Sequence, residues 1–231
     1  LMLMDFWTKL LKATGEFDKH TRFIVKTTAS SKSWDEWAKA NGIKVINTPV
    51  GFKEIANAIK KIEFQLEKGV KNITVEDIFK NKVELGESPR MIFGGEESGG
   101  LSIQGHIPEK DGILANLLIL EAMAIEKKSL VELQKDLYDF AGCKFYNDRI
   151  DKHLDNFDEV KPVLEEYKNK NSIGEFKVSK IDTKDGVKLY FDDNQSWILV
   201  RPSGTEPLLR IYFESGSLES LEKLKKSVSS L

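Results

Sequence analysis

The sequence predicts an α/β three-layer domain with a mixed sheet, followed by a smaller α+β domain whose antiparallel sheet is flanked by helices. Three observations predict this. Strand and helix patterns alternate through the first half of the chain. Four short strand patterns then follow one another, with turn residues between them. A polar, aperiodic stretch separates the two regimes, so the domains are expected at residues 1–140 and 141–231.

The opening "LMLMDFWTKLL" is apolar but short and carries Asp5, which reads as an amphipathic helix and not a signal peptide. It begins at full stride with Leu1, the expectation being a piece of something longer. "RFIVKT" is a strand. "SWDEWAKANG" is a helix, with Ser33 as N-cap, Glu36 three residues on and Gly42 as terminator. "IKVIN" is a second strand. "FKEIANAIKKIEFQLEKG" is a long amphipathic helix with Ile55, Ile59, Ile62 and Leu66 on one face. "RMIFG" is a third strand, and "DGILANLLILEAMAIEKK" is a strongly apolar helix expected to pack on the sheet. "SLVELQKDLYDFAG" is a helix opened by a capping box from Ser129 to Glu132.

The segment "CKFYNDRIDKHLDNFDEVKPVLEEYKNK" reads as linker plus one helix. The strands "EFKVSKID", "GVKLYF", "SWILV" and "LLRIYFES" follow, with "DTKDG" and "DDNQ" as turns. The closing helix "SLESLEKLKKSVSSL" carries Leu218, Leu221, Leu224 and Val228 on one face. Trp34, Trp37 and Phe64 are expected in the core or on half-buried faces.

Composition excludes several functions. Hydrophobic residues make up 40% of the 231, enough for real cores. With 35 basic against 37 acidic residues and a net charge of -2, nothing argues for a nucleic-acid partner. No apolar run approaches the ~18 residues of a membrane span. The single cysteine, Cys143, excludes an internal disulfide and fits a reducing, cytoplasmic setting. His20, His106 and His153 are too scattered for a metal cluster.

Two loops carry chemistry. "GGEESGG" follows the strand "RMIF", and loops after the carboxyl ends of strands are where α/β sheets place ligands. It lacks the Gly-Lys-Ser/Thr of a Walker loop. Glu96 and Glu97 would repel phosphate but accept hydrogen bonds from a polyol, and Ser98 can give or accept. The other reading is a solvated acidic turn. The second loop, "RPSGTEP", joins two strands. Arg201 offers a fork of donors for phosphate oxygens. Ser203 and Thr205 add hydroxyls, and the backbone around Gly204 can turn its N–H groups inward. Pro202 and Pro207 stiffen the loop, and Arg210 offers a second cation. The other reading is a rigid turn with an exposed arginine.

One loop for hydroxyls and one for phosphate suggest a phosphosugar. The pair "GGEESGG" and "RPSGTEPLLRIY" resembles the α-D-phosphohexomutases, the phosphoglucomutase and phosphomannomutase enzymes. "TPVGFKEI" (48–55) is similar to the family's Thr-x-x-Gly-x-Lys segment, and "HIPEKDGI" (106–113) to its stretch ending Lys-Asp-Gly. The four occur in family order, and the resemblance runs from about Phe23 to the C-terminus.

The resemblance implies a four-domain enzyme interconverting hexose 1-phosphate and hexose 6-phosphate, of which this chain is the third and fourth domains. It implies that Glu96 and Ser98 contact sugar hydroxyls, and that Thr48 and Gly51 line the site. Lys110 would lie near the reacting hydroxyl and assist proton transfer. Arg201, Ser203, Gly204, Thr205 and Arg210 would hold the distal phosphate. "GEESGG" leans toward the glucose-type enzymes. Without the resemblance, Lys110 is a surface lysine at a helix start, where Asp111 favours the helix dipole.

The family's phosphoserine loop and its Mg²⁺-holding aspartate loop do not occur in this sequence. "TTASSKSW" lacks the His-Asn-Pro of the serine loop, so Ser30 and Ser31 read as ordinary strand-end residues. The expected partners are therefore a hexose phosphate and the N-terminal domains of the parent chain, with Mg²⁺ bound elsewhere and no activity in this chain alone. The competing expectation is a stand-alone phosphosugar or anion-binding module.

Overall fold

Near-continuous apolar runs such as "FIV" mark strands buried on both faces, and such strands form the sheet of the first unit, Leu1–Cys143. The computed structural model describes residues 1–204 and 206–229. In chain order the unit contains α1 (Met2–Ala13), β1 (Thr21–Thr27), α2 (Ser33–Ala40), β2 (Lys44–Thr48) and α3 (Phe52–Glu67). The hairpin β3 (Ile73–Glu76) and β4 (Lys82–Gly86) follows, then β5 (Pro89–Gly95), β6 (Leu101–Ile103), α4 (Gly112–Glu126) and α5 (Leu130–Ala141).

The sheet order is β2-β1-β5-β6, with β2, β1 and β5 parallel and β6 antiparallel. It is a mixed sheet between two helical layers. Side chains alternate across it. Phe23 and Val25 face Ile55, Ile59 and Ile62 of α3, whereas Ile24 faces Met4 of α1, Trp37 of α2 and Leu137 of α5. Each such fully buried side chain contributes about 1.5–3 kcal/mol.

The second unit, Lys144–Leu231, contains β7 (Tyr146–His153), α6 (Val160–Lys168), β8 (Ser172–Ile173), β9 (Phe176–Asp182), β10 (Val187–Phe191), β11 (Trp197–Pro202), β12 (Leu208–Ser215) and α7 (Leu218–Ser229). Its sheet is antiparallel in the order β7-β12-β11-β10-β9-β8. Leu189, Ile198, Val200, Leu209, Ile211 and Phe213 belong to one core with Tyr167 of α6 and Leu221, Leu224 and Val228 of α7. The architecture is thus the expected α/β layer unit followed by an α+β unit.

Several expectations are corrected. Tyr146–His153, expected as linker, is a strand that pairs with β12 over all eight residues. Ser33 is not the N-cap of α2: Lys32 occupies that position, and the Ser31 hydroxyl accepts from the Ser33 N–H at 3.0 Å. The apolar α4 does not bury its circumference. Leu118 and Ala122 are buried, whereas Ile113 is 78% exposed and Leu117 60%. Leu218 and Phe64 are exposed too, the latter beneath the Lys68 ammonium. The capping box from Ser129 to Glu132 is present in both directions, and Gly42 ends α2 at φ +69°. The hairpin of β3 and β4 is an addition to the expected elements, although "ITVE" and "KVEL" alternate apolar and polar residues as half-buried strands do.

Candidate functional site

Strands β2, β1 and β5 end together at Thr48, Thr27 and Gly95, the edge where parallel sheets place ligands. The glycines there serve close packing. A Cβ on Gly94 would lie 2.9 Å from Ile55 Cγ2 of α3, and one on Gly95 would lie 2.8 Å from Trp34 Cη2 of α2. Both belong to β5 and not to a pliant loop. The loop proper is 96–100, closed by the Glu96 N–H on the Gly100 carbonyl at 2.9 Å. Gly99 sits at φ +92°.

The two acids of this loop have different partners. Glu97 accepts a hydrogen bond from Thr27 Oγ1 at 2.7 Å, which ties the loop to β1. Glu96 is buried, its carboxylate 3.6 Å from Lys110 Nζ, and Ser98 Oγ donates to it at 3.5 Å. Lys110 also passes over the Phe52 ring at 5.9 Å. Gly100 makes room for this meeting: a Cβ there would collide with Lys110 Cδ and stand 2.8 Å from Glu96 Oε2. The residue after Lys110, Asp111, is the N-cap of α4. The Leu114 N–H donates to Asp111 at 2.9 Å, and this bond first, then nearby His106 at 3.1 Å, keeps its carboxyl below the usual range.

Thr48 and Gly51 lie at the same sheet edge but serve the backbone. The Thr48 hydroxyl donates to the Lys26 carbonyl at 3.3 Å and the Pro49 carbonyl at 3.1 Å. Gly51, at φ +130°, is the N-cap of α3. A groove of about 300 Å³ opens beside Thr48, lined by Asn57, Lys61, Asp77 and Lys80 among others. Ser30 bonds to Thr27 within the strand end, as an ordinary residue there would.

In the second unit, "RPSGTEP" connects β11 to β12. The Ser203 N–H donates to the Leu208 carbonyl at 2.9 Å, and Ser203 is buried. Gly204 has open space where a Cβ would stand. Thr205 lies outside the described residues. Arg201 and Arg210 are direct cross-strand partners. Arg201 Nε donates to Asp185 Oδ1 at 2.9 Å, while the buried Nε of Arg210 has no hydrogen-bond partner among the described residues. The structure thus brings Glu96, Ser98 and Lys110 together in one unit, and Arg201 and Arg210 in the other.

Asp185 is the residue that motif reading misses, since "DTKDG" reads as a turn alone. The pairing of Val187 with Val200 places that turn alongside Arg201, and counting back along the hairpin from Arg201 reaches Asp185.

Among the described residues no group of three or more His, Cys, Asp or Glu could hold a metal ion. The Mg²⁺ that the resemblance implies therefore finds no donor set in them. No helix among them is long and apolar enough to cross a membrane.

Residues 3–140 match the family model described as phosphoglucomutase/phosphomannomutase, alpha/beta/alpha domain III, and residues 148–231 match that for the phosphoglucomutase/phosphomannomutase C-terminal domain. A Thermococcus kodakarensis protein named phosphoglucomutase/phosphomannomutase is 32% identical over 196 residues, covering 85% of this chain and 34% of the relative. A Methanococcus maripaludis protein named phosphoglucosamine mutase is 28% identical over 226 residues, covering 98% of this chain and 41% of the relative. A crystal structure from Thermus thermophilus, whose name places it among the phosphomannomutases, has a TM-score of 0.65 at 27% identity, over 99% of this chain and 40% of that one. The chain thus spans 34–41% of the length of these relatives.

Proposed function

The chain belongs to the phosphoglucomutase/phosphomannomutase family, matching its third and C-terminal domains, and on that premise we propose that it is the substrate-gripping part of a phosphohexomutase. In the first unit Glu96 and Ser98 take sugar hydroxyls, with Thr48 and Gly51 lining the same sheet edge. Lys110, beside Glu96, relays the proton of the reacting hydroxyl. In the second unit Arg201, Ser203, Gly204, Thr205 and Arg210 hold the phosphate that is not transferred. One observation carries the reading. Two arginines are paired across β11 and β12, and one has a buried N–H without a partner among the described residues, which an anion would satisfy.

The reaction of the parent enzyme is the exchange of hexose 1-phosphate and hexose 6-phosphate. Phosphoryl transfer depends on positioning and on stabilising a moving charge. The serine and aspartate loops that supply nucleophile and metal in this family are missing from the sequence, so the chain alone turns over no hexose phosphate. The glucose-type reading rests on "GEESGG". The name of the Methanococcus relative favours an amino sugar instead. A carboxylate at Glu96 accepts from an ammonium as readily as from a hydroxyl.

NMR titration with inorganic phosphate and the 6-phosphates of glucose, mannose and glucosamine tests the assignment. Arg201→Ala should weaken all four ligands by about tenfold or more, the range for hydrogen bonds to charged groups. Glu96→Gln should weaken the sugar phosphates and leave inorganic phosphate unchanged. Arg201→Ala with undiminished phosphate affinity would make the loop a mere turn. The ranking of the three sugars decides between glucose and amino-sugar specificity.

A further inference from the structure

We propose that Asp185 is a positioning residue: it grips Arg201 by its Nε and presents the terminal N–H groups of the guanidinium to the phosphate. The inference rests on the phosphate reading above and assigns a residue outside the loop to it. Asp185 Oδ1 lies 2.9 Å from Arg201 Nε, with the two side chains only 12% and 19% exposed.

The contact is built into the backbone. Gly186 sits at φ +85°, and a Cβ there would collide with the Val200 carbonyl oxygen and lie 2.8 Å from Arg201 Cγ. The turn therefore lies directly against β11 at the base of the Arg201 side chain. Only glycine permits that approach, and it leaves the preceding carboxylate beside the guanidinium. Arginine has five N–H donors in a rigid fork. A carboxylate on Nε occupies one edge and leaves the far Nη hydrogens for an anion.

Two consequences oppose each other. An arginine already fixed by Asp185 loses less side-chain freedom when an anion arrives. The same carboxylate cancels one of the two positive charges that Arg201 and Arg210 offer, which weakens attraction for a dianion. Substitution separates them. Asp185→Asn keeps an acceptor oxygen and removes the charge, whereas Asp185→Ala removes both.

The experiment titrates inorganic phosphate and glucose 6-phosphate into the chain and its Asp185→Ala, Asp185→Asn and Arg201→Ala variants, following amide shifts and the Arg201 Nε–H resonance. Asp185→Ala should weaken both ligands by about fivefold, as orientation is lost. Asp185→Asn should bind within about twofold of the parent or tighter, because the acceptor persists. The Nε–H signal should exchange slowly with solvent in the parent and in Asp185→Asn, and rapidly in Asp185→Ala. Unchanged or tighter binding by Asp185→Ala would reduce Asp185 to a counter-ion and overturn the proposal. So would equal losses in the two Asp185 variants accompanied by lowered thermal midpoints, which mark a structural role. If Arg201→Ala itself leaves phosphate affinity unchanged, the phosphate reading falls and this inference with it.

Discussion

Arg201 and Arg210 stand directly opposite each other on β11 and β12. Like charges in that position are destabilising. Asp185 offsets one of them, and a bound anion would offset the other. Phosphate should therefore raise the thermal midpoint of the protein relative to chloride at equal ionic strength. At phosphate ten times its dissociation constant the gain is about 1.4 kcal/mol. Scanning calorimetry in the two salts measures it, and coincident midpoints would count against an anion site.

Two glycines with crowded surroundings should respond differently to alanine. At Gly100 the obstructing atoms belong to the flexible Lys110 side chain and the Glu96 carboxylate. Gly100→Ala should cost about 0.5 kcal/mol in fold stability, yet weaken sugar phosphates while sparing inorganic phosphate. At Gly186 the obstructing atom is a backbone carbonyl, and φ is positive. Gly186→Ala should cost more than about 1 kcal/mol, since the native conformation is incompatible with a side chain. Urea denaturation of both variants provides the comparison. A reversed order would mean that the turn relaxes freely.

Tyr167 buries a hydroxyl with no hydrogen-bond partner among the described residues, and burial pushes its pKa up to about 12. Its neutral form is the one the fold favours. That contribution is fully present below the unfolded value near 10 and is lost as pH rises to about 12. Tyr167→Phe should abolish this alkaline loss in the second unit. At neutral pH it should be neutral or stabilising by up to ~1 kcal/mol, because an unsatisfied hydroxyl is removed. Chemical denaturation of both proteins between about pH 9 and pH 12 (the range set by that titration) tests this. A destabilised phenylalanine variant would reveal a partner for the hydroxyl.

Hydrogen exchange should show β7 as a strand. On an edge strand, alternate N–H groups point at the neighbour. Every second amide from Tyr146 to His153 should therefore exchange slowly, and the rest quickly. Uniformly rapid exchange across the segment would return it to the status of a linker.

Much of this molecule is legible in its sequence. "RFIVKT" and "IKVIN" are rich in apolar residues because helices cover the sheet on both faces, so their strand character survives any register. The two loops proposed to hold the phosphosugar stand out in the sequence because their residue types are unusual for turns. β7 is not, and the reason is specific. Its inward positions run Tyr146, Asp148, Ile150, Lys152, and Asp148 gives its place to an ion pair with Lys225 of α7 at 2.6 Å. That breaks the apolar alternation by which a strand is recognised. Asp185 stays hidden because its partner is set by hairpin register, which no motif encodes. Ser33 misleads because Ser31, two residues earlier, takes the hydrogen bond that a cap would.

The charges that disguise β7 have a use. β7 lies at one margin of its sheet, and the opposite margin is the two-residue β8. A long, flat, apolar margin would invite another chain to add itself by backbone pairing. Asp148, Arg149, Asp151 and Lys152 make that addition unfavourable, since a newcomer would bring its own side chains against this row of charge. Replacing Asp148 and Lys152 with valine, and Arg149 and Asp151 with threonine, would make the strand conspicuous to any reader of sequences. It would also make the protein prone to growing into fibres.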